Sequence, residues 1–254
     1  MLARQHWNWG FALGFIALLA CTPMADAAGL ALPTLQLGVA KSNSPEQVAQ
    51  GVQLLILLTV LTLAPSILVM TTAFTRIVIV LSLVRQALGT PTLPPSQVIV
   101  SLAMILSFFV MAPTFEQVNK VAFDPFMKGR ISVEVALEKA SEPMRTFMFK
   151  QTSEKDMALF TKLAKIPKPK TTKDVPTYVL LPSFIISELK TAFQLGFVLF
   201  LPFIVIDIVV SSILVSMGMM FLPPATIALP FKLILFVLVD GWHLISQSLV
   251  MGFR

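Results

Sequence analysis

Six ionisable residues interrupt runs of sequence that are otherwise apolar: Arg76, Glu188, Lys190, Asp207, Lys232 and Asp240. Groups of this kind can pair to lock helices together, carry a proton or charged solute, or join one chain to another. An ionised side chain facing lipid costs about 2.5–3.5 kcal/mol on insertion scales, so six left in lipid would be prohibitive. Arg76 and Glu188 lie near segment boundaries, where long side chains can reach the interface. Asp207 lies well inside its run. Lys232 and Asp240 are two turns apart, about 80° around a helix, so one helical surface can present both. Their partners must come from another segment or another chain, and this favours an oligomer. For Asp207, Lys232 and Asp240 a structural role ranks ahead of a conductive one.

A second feature is the stretch SMGMMFLPPATIALPFKLILFVLVDGW, residues 216–242. It sets Met217, Met219 and Met220 around Gly218, then runs through Phe221 into Pro223 and Pro224. Methionine is the most adaptable apolar side chain, and a proline pair stops a helix. The stretch therefore reads either as ordinary core filling or as a deformable apolar collar on a non-helical turn. Catalytic patterns are missing: there is no G-x-x-x-x-G-K-[ST], no H-E-x-x-H and no G-x-S-x-G. His6 falls in the N-terminal leader, and His243, beside Trp242, reads as an interfacial or packed side chain. No enzyme, metal site or cofactor is expected, and any transport must draw its energy from other subunits or an ion gradient.

The elements that would carry these residues are helices in a membrane. Of the residues, 56% are hydrophobic and only 13% charged, and the mean hydropathy is +0.84, too little polar surface to coat a soluble globule. The net charge of +6 does not indicate nucleic acid, because 20 of the 32 charged residues fall within 116–174, mixed 12 basic to 8 acidic. That mixture reads as a solvated segment.

Residues 1–27 read as a cleaved signal peptide, with Arg4, an apolar core at 10–20 and the small-x-small triplet Ala25-Asp26-Ala27. Cleavage after Ala27 would leave Ala28 first. The core is too short to span permanently, so its Gly10-x-x-x-Gly14 is not a packing motif. The rival is a lipoprotein signal retaining Cys21, the only cysteine, as the first residue. If Cys21 leaves with the leader, disulfides and thiolate metal sites are excluded.

Residues 28–46 read as a flexible mature N-terminus. Residues 47–115 form a first apolar helical hairpin, with charge-free runs at 47–75 and 86–115 that exceed the roughly 20 residues a span needs. Pro65 interrupts the first run, and GTPTLPP opens the second. The charged segment 116–174 is expected to hold two short helices. One covers 132–140, with Ser141-Glu142-Pro143 restarting a turn. The other is SEKDMALFTKLAKI, capped by Ser153 with Asp156 three residues on. Residues 175–254 form a second apolar hairpin, divided by Pro202 and Pro223-Pro224 into helical regions near 188–220 and 229–252. The fold class is an all-α membrane protein: long broken helical hairpins with a small helical periplasmic insertion.

With four spans and the mature N-terminus outside, Arg76 and Arg85 fall on the cytoplasmic side, as the positive-inside rule asks. The 12 basic residues of the central segment do not. This conflict points to an assembled state that ordinary spanning does not describe.

Three blocks resemble the FliP family of flagellar export-gate proteins, whose relatives serve in virulence type III secretion: PSFIISELKTAFQLGF (182–197), LPFKLILFVLVDGW (229–242) and LPFIVIDIVVSSILVSMGMM (201–220). The likeness extends over nearly all of the mature chain, including residues 70–113 and 147–160. The resemblance implies five copies joined with FliQ and FliR in a helical cone within the flagellar basal body, raised above the inner membrane, with FlhB as a further partner. Exported unfolded flagellar proteins would pass through it, and neighbouring protein and lumen water would replace lipid around the charges. It further implies a pore gasket of Met217, Met219, Met220 and Phe221 closing against FliR. Phe221 stands where relatives often have methionine, and Ser183 where alanine is common. The rival readings are a solute or ion transporter and a scaffold for other pore subunits.

Overall fold

The structure is a computed structural model that describes residues 45–253, apart from 91, 168, 170 and 220. Ala25, Ala27 and Ala28, with the rest of the leader and most of the 28–46 segment, lie outside the described residues, as does Met220. The chain divides into two units, Met1–Leu54 and Leu55–Arg254. Residues 45–54 of the first are described and are helical.

Among the described residues every regular element is helical. In chain order these are α1 (Pro45–Met70), α2 (Phe74–Ala87), α3 (Ser96–Val118), a π turn (Asn119–Phe123), α4 (Asp124–Met127), α5 (Val133–Gln151), α6 (Glu154–Leu163), a 3-10 turn (Thr172–Asp174), α7 (Thr177–Ser216), α8 (Pro224–Leu238) and α9 (Gly241–Met251). Two stretches, Ser96–Met127 and Thr177–Ser216, are long and apolar enough to cross a bilayer. The pair α8 and α9, bent by 64°, makes a third if taken as one span, whereas Gly51–Ile67 is a shorter apolar run.

The prolines correct three sequence expectations. Helix α1 runs through Pro65, and α5 runs unbroken through Pro143, where a restart was expected. Helix α7 runs for 40 residues through both Pro182 and Pro202, where Pro202 was expected to divide it, and α3 contains Pro113. An interior proline removes one backbone donor and frees one carbonyl. Ending a helix frees four groups on each side of the break, and in apolar surroundings water is not there to satisfy them. The single defect is the smaller loss. Helices stop only where backbone chemistry provides for it. At the end of α7, Gly218 adopts φ +73°, with Met219 N–H donating to Leu214 O at 2.9 Å and Gly218 N–H to Val215 O at 3.0 Å. This is a Schellman closure. Pro224 then opens α8, at the first-turn position where its missing N–H leaves nothing unpaired.

The core forms where α2 lies along α7, the most extensive helix contact in the chain. Arg76, Ile77, Val80, Leu81, Val84 and Ala87 of α2 are buried, the three-and-four spacing of one helical face. Opposite them are Val179, Leu180, Phe184 and Ala192, and α3 adds Ile99, Ala103 and Met111. The close approach depends on Gly196: a Cβ there would come within 2.2 Å of Leu83 Cδ1. In the amphipathic segment Ser153 caps α6, as the sequence predicts, and Ser132 caps α5. The box with Asp156 does not close, because that carboxylate turns to accept from the Ser187 hydroxyl of α7 at 2.7 Å. Ser187 Oγ in turn accepts from Ser153 N–H at 3.0 Å, so one hydroxyl fastens α6 to α7.

Helix α8 ends at Leu238, and Asp240 takes a left-handed conformation at φ +51°. Lys232 and Asp240 therefore do not share one helical surface, correcting the spacing argument. Gly241 follows directly, and a Cβ on it would lie 2.3–2.7 Å from three ring atoms of Phe236. Gly241→Ala should lower stability by about 1–3 kcal/mol, the usual range for overpacking. Thermal unfolding in mild detergent measures this, and Phe236→Leu in the same chain should recover much of the loss.

Candidate functional site

The charges in the apolar helices fall into two buried clusters and two exposed positions. Arg76, at 3% exposure, faces Glu188, at 0%, across the α2–α7 contact. Arg76 Nε donates to Glu188 Oε2 at 2.9 Å, and Nη2 donates to Oε1, making a bidentate pair. The remaining guanidinium hydrogens reach Gln151 Oε1 at the end of α5 and the Gly252 carbonyl beyond α9, both at 3.0 Å. Phe253 lies over the guanidinium, with its centroid 3.8 Å from Cζ, and stacks on Phe147. Gln151 Nε2 closes the circuit by donating to Phe253 O at 3.2 Å. One cation thus joins α2, α5, α7 and the segment after α9. Arginine is required because a planar fork can hold a carboxylate bidentately, reach further acceptors and stack on a ring at once.

The second cluster centres on Lys232 of α8, which is 6% exposed. Its ammonium donates to Asp207 Oδ2 at 2.7 Å and to Ala87 O at 3.1 Å. Ala87 is the last residue of α2, so the cation also meets the negative end of that helix's dipole. Asp207 is half-buried, its side chain 38% exposed, and its Oδ1 is buried without a hydrogen-bond partner. Lys190 and Asp240 are exposed, and neither forms an ion pair with a described residue. Arg76 and Glu188, for which a position reaching the interface was also open, are buried against each other; of Lys232 and Asp240, both expected to need partners, Lys232 finds one. Within the chain, four of the six charges form two pairs.

The methionine turn has the opposite character. Met217 and Met219 are 62% and 42% exposed, and Phe221 is 102% exposed. The Gly218 turn holds them outside the core formed by the other helices. Beside it, Val209, Ile213, Leu214, Ile227 and Phe231 of α7 and α8 line a groove of about 410 Å³ that carries no polar surface.

Several members of these clusters carry no readable signal in the sequence. Gly252 and Ala87 contribute only backbone carbonyls, which any residue would offer. Gln151 and Phe253 are unremarkable until the fold brings them to Arg76. Among the described residues no group of three or more His, Cys, Asp or Glu side chains is placed to hold a metal ion.

Apolar helices pinned by buried ion pairs, with large apolar faces left open, define an all-α membrane protein. A family model described as the FliP family matches residues 57–249. The flagellar biosynthetic protein FliP of Bacillus subtilis (strain 168) is 55% identical over 217 residues, 85% of this chain and 98% of the relative. That of Pectobacterium carotovorum subsp. carotovorum is 51% identical over 246 residues, 97% and 93% of the two chains. The protein of the same name from Aquifex aeolicus (strain VF5) is 45% identical over 225 residues, 88% and 92%. The chain belongs to the FliP family, and its role lies in flagellar biosynthesis.

Breaking a buried pair by removing one partner strands the other charge, at about 3–5 kcal/mol. Glu188→Ala and Arg76→Ala should each lower unfolding stability by that amount. The double variant should lose clearly less than the sum, because neither charge is then left alone. Chemical unfolding in detergent micelles measures all three. Additive losses would show that the pair does not couple the helices.

Proposed function

We propose that this chain is an integral pore subunit of a flagellar type III protein export gate. It would assemble as five copies with FliQ, FliR and FlhB in the basal body at the bacterial inner membrane, and pass unfolded flagellar proteins through the shared channel. In this reading residues 1–27 are a signal peptide cleaved after Ala27, and the mature N-terminus and the charged 116–174 segment face the periplasm. Membership of the FliP family supports the flagellar part of the reading. The observation that carries the pore is the methionine turn: a Schellman-closed loop that leaves Met217, Met219 and Phe221 outside the chain's own core.

Such a turn suits a gasket. Several copies around one axis would bring flexible thioethers and a phenyl ring together into a ring that excludes water and ions. The same side chains repack at little energetic expense when a polypeptide passes. Met220 completes the proposed set. The apolar groove between α7 and α8 supports assembly, since a fully apolar concavity beside a membrane helix is readily filled by a neighbouring chain. Asp207 Oδ1, buried without a partner, and the exposed Lys190 and Asp240 are then groups that neighbouring chains satisfy. A scaffold that only supports other pore subunits would share these assembly contacts but leave the turn without a task.

Replacing Met219 and Met220 by alanine should raise the leak of small ions through the assembled complex while export of flagellar proteins continues. Conductance of reconstituted complexes and secretion of flagellar subunits are the two readouts. An unchanged leak would favour the scaffold.

A further inference from the structure

On the outer side of the Arg76 cluster, α3, α5, the end of α9 and Phe253 line a cavity of about 490 Å³. Its walls include the apolar Phe109, Val110, Pro113 and Phe147, and it opens at the surface beside exposed Phe109 and Gln117. Lys150 is the one charged residue among those lining it. Its ammonium forms no hydrogen bond or ion pair with any described residue, unlike Arg76, Lys232, Lys120 and Lys128. Thr114 and Gln117, one turn apart on α3, add side-chain donors to the same space.

We propose that this cavity is a binding site for an anionic glycerophospholipid. The head group's phosphate would meet Lys150, Thr114 and Gln117, and the acyl chains would lie along the Phe109 wall. Three observations favour this occupant. The cavity has a cation and no anion, so it selects negative charge. Its wall is mixed, with Thr146 and Gln151 beside the apolar Phe109, Val110, Pro113 and Phe147, and a lining with both characters suits an amphiphile. It lies where the charge-free run of α3 gives way to charged sequence at Glu116, the level at which head groups meet a spanning helix.

Its place also gives it leverage. Gln151 and Phe253 form part of the wall, and they are the residues that hold Arg76 against the segment after α9. A lipid seated there would press on the far side of Phe253 and Gln151 and reinforce the Arg76 cluster.

The test uses the full chain in mild detergent, titrated with phosphatidylglycerol or phosphatidylcholine and followed by native mass spectrometry and thermal unfolding. Phosphatidylglycerol should be retained preferentially and should raise the unfolding temperature. Lys150→Gln should cut its retention by about fivefold and abolish the thermal gain. Lys155→Gln, which removes an exposed cation outside the cavity, should change neither. Equal retention of the two lipids would overturn the proposal. So would full retention by Lys150→Gln, an equal loss in Lys155→Gln, or a lipid-free dimer that Lys150→Gln dissociates, which would make a second copy the occupant.

Discussion

The structure depends on the burial of one guanidinium. Arg76 is buried in the most extensive helix contact among the described residues, where an unpaired charge could not persist. Satisfying it draws together a carboxylate from α7, an amide from α5, a carbonyl from beyond α9 and an aromatic ring. A purely apolar contact between α2 and α7 could slide by a turn with little change in buried area. The bidentate pair cannot, because its geometry allows only one register. The charge therefore specifies the arrangement more than it strengthens it.

Lys232 does the same at the other end of α2. By reaching Asp207 and the Ala87 carbonyl at once, it fixes where α8 crosses α7 and supplies a partner to a helix end buried among apolar groups. The two clusters bracket α2, and Ser187 fastens the amphipathic α6 to α7 one residue from Glu188. Among the described residues half of the long-range side-chain hydrogen bonds involve α7. Outside them, large apolar side chains lie open on several helices: Ile105, Phe108 and Phe109 on α3, Phe197, Val205 and Ile208 on α7, Val237 and Leu238 on α8. Surfaces of this extent suit lipid or neighbouring chains and not water. The internal order of the subunit and its readiness to associate thus have separate origins, the first in paired charge and the second in unpaired apolar area.

The methionine turn belongs to neither system. It is produced by backbone chemistry, a glycine that can adopt positive φ followed by prolines that can only start a new helix. That economy leaves Met217, Met219 and Phe221 exposed, outside the buried core of the subunit.

The sequence by itself determined the helical class, the membrane setting, the family and the identity of the charges that matter, because composition and charge-free length are properties of the chain irrespective of its folding. It also marked the cap at Ser153, which is a local interaction, and it pointed to the turn around Gly218. It misjudged Pro65, Pro143 and Pro202, since the penalty for a proline must be compared with that of the alternative helix end, and that comparison depends on surroundings. Only the tertiary structure decided which charges meet. Arg76 and Glu188 are 112 positions apart and Lys232 and Asp207 are 25 apart. Asp240, matched with Lys232 by helical spacing, points elsewhere because the helix bends between them. Pairing is a relation between segments, and the carbonyls of Gly252 and Ala87 became ligands only when packing placed two cations within reach of them.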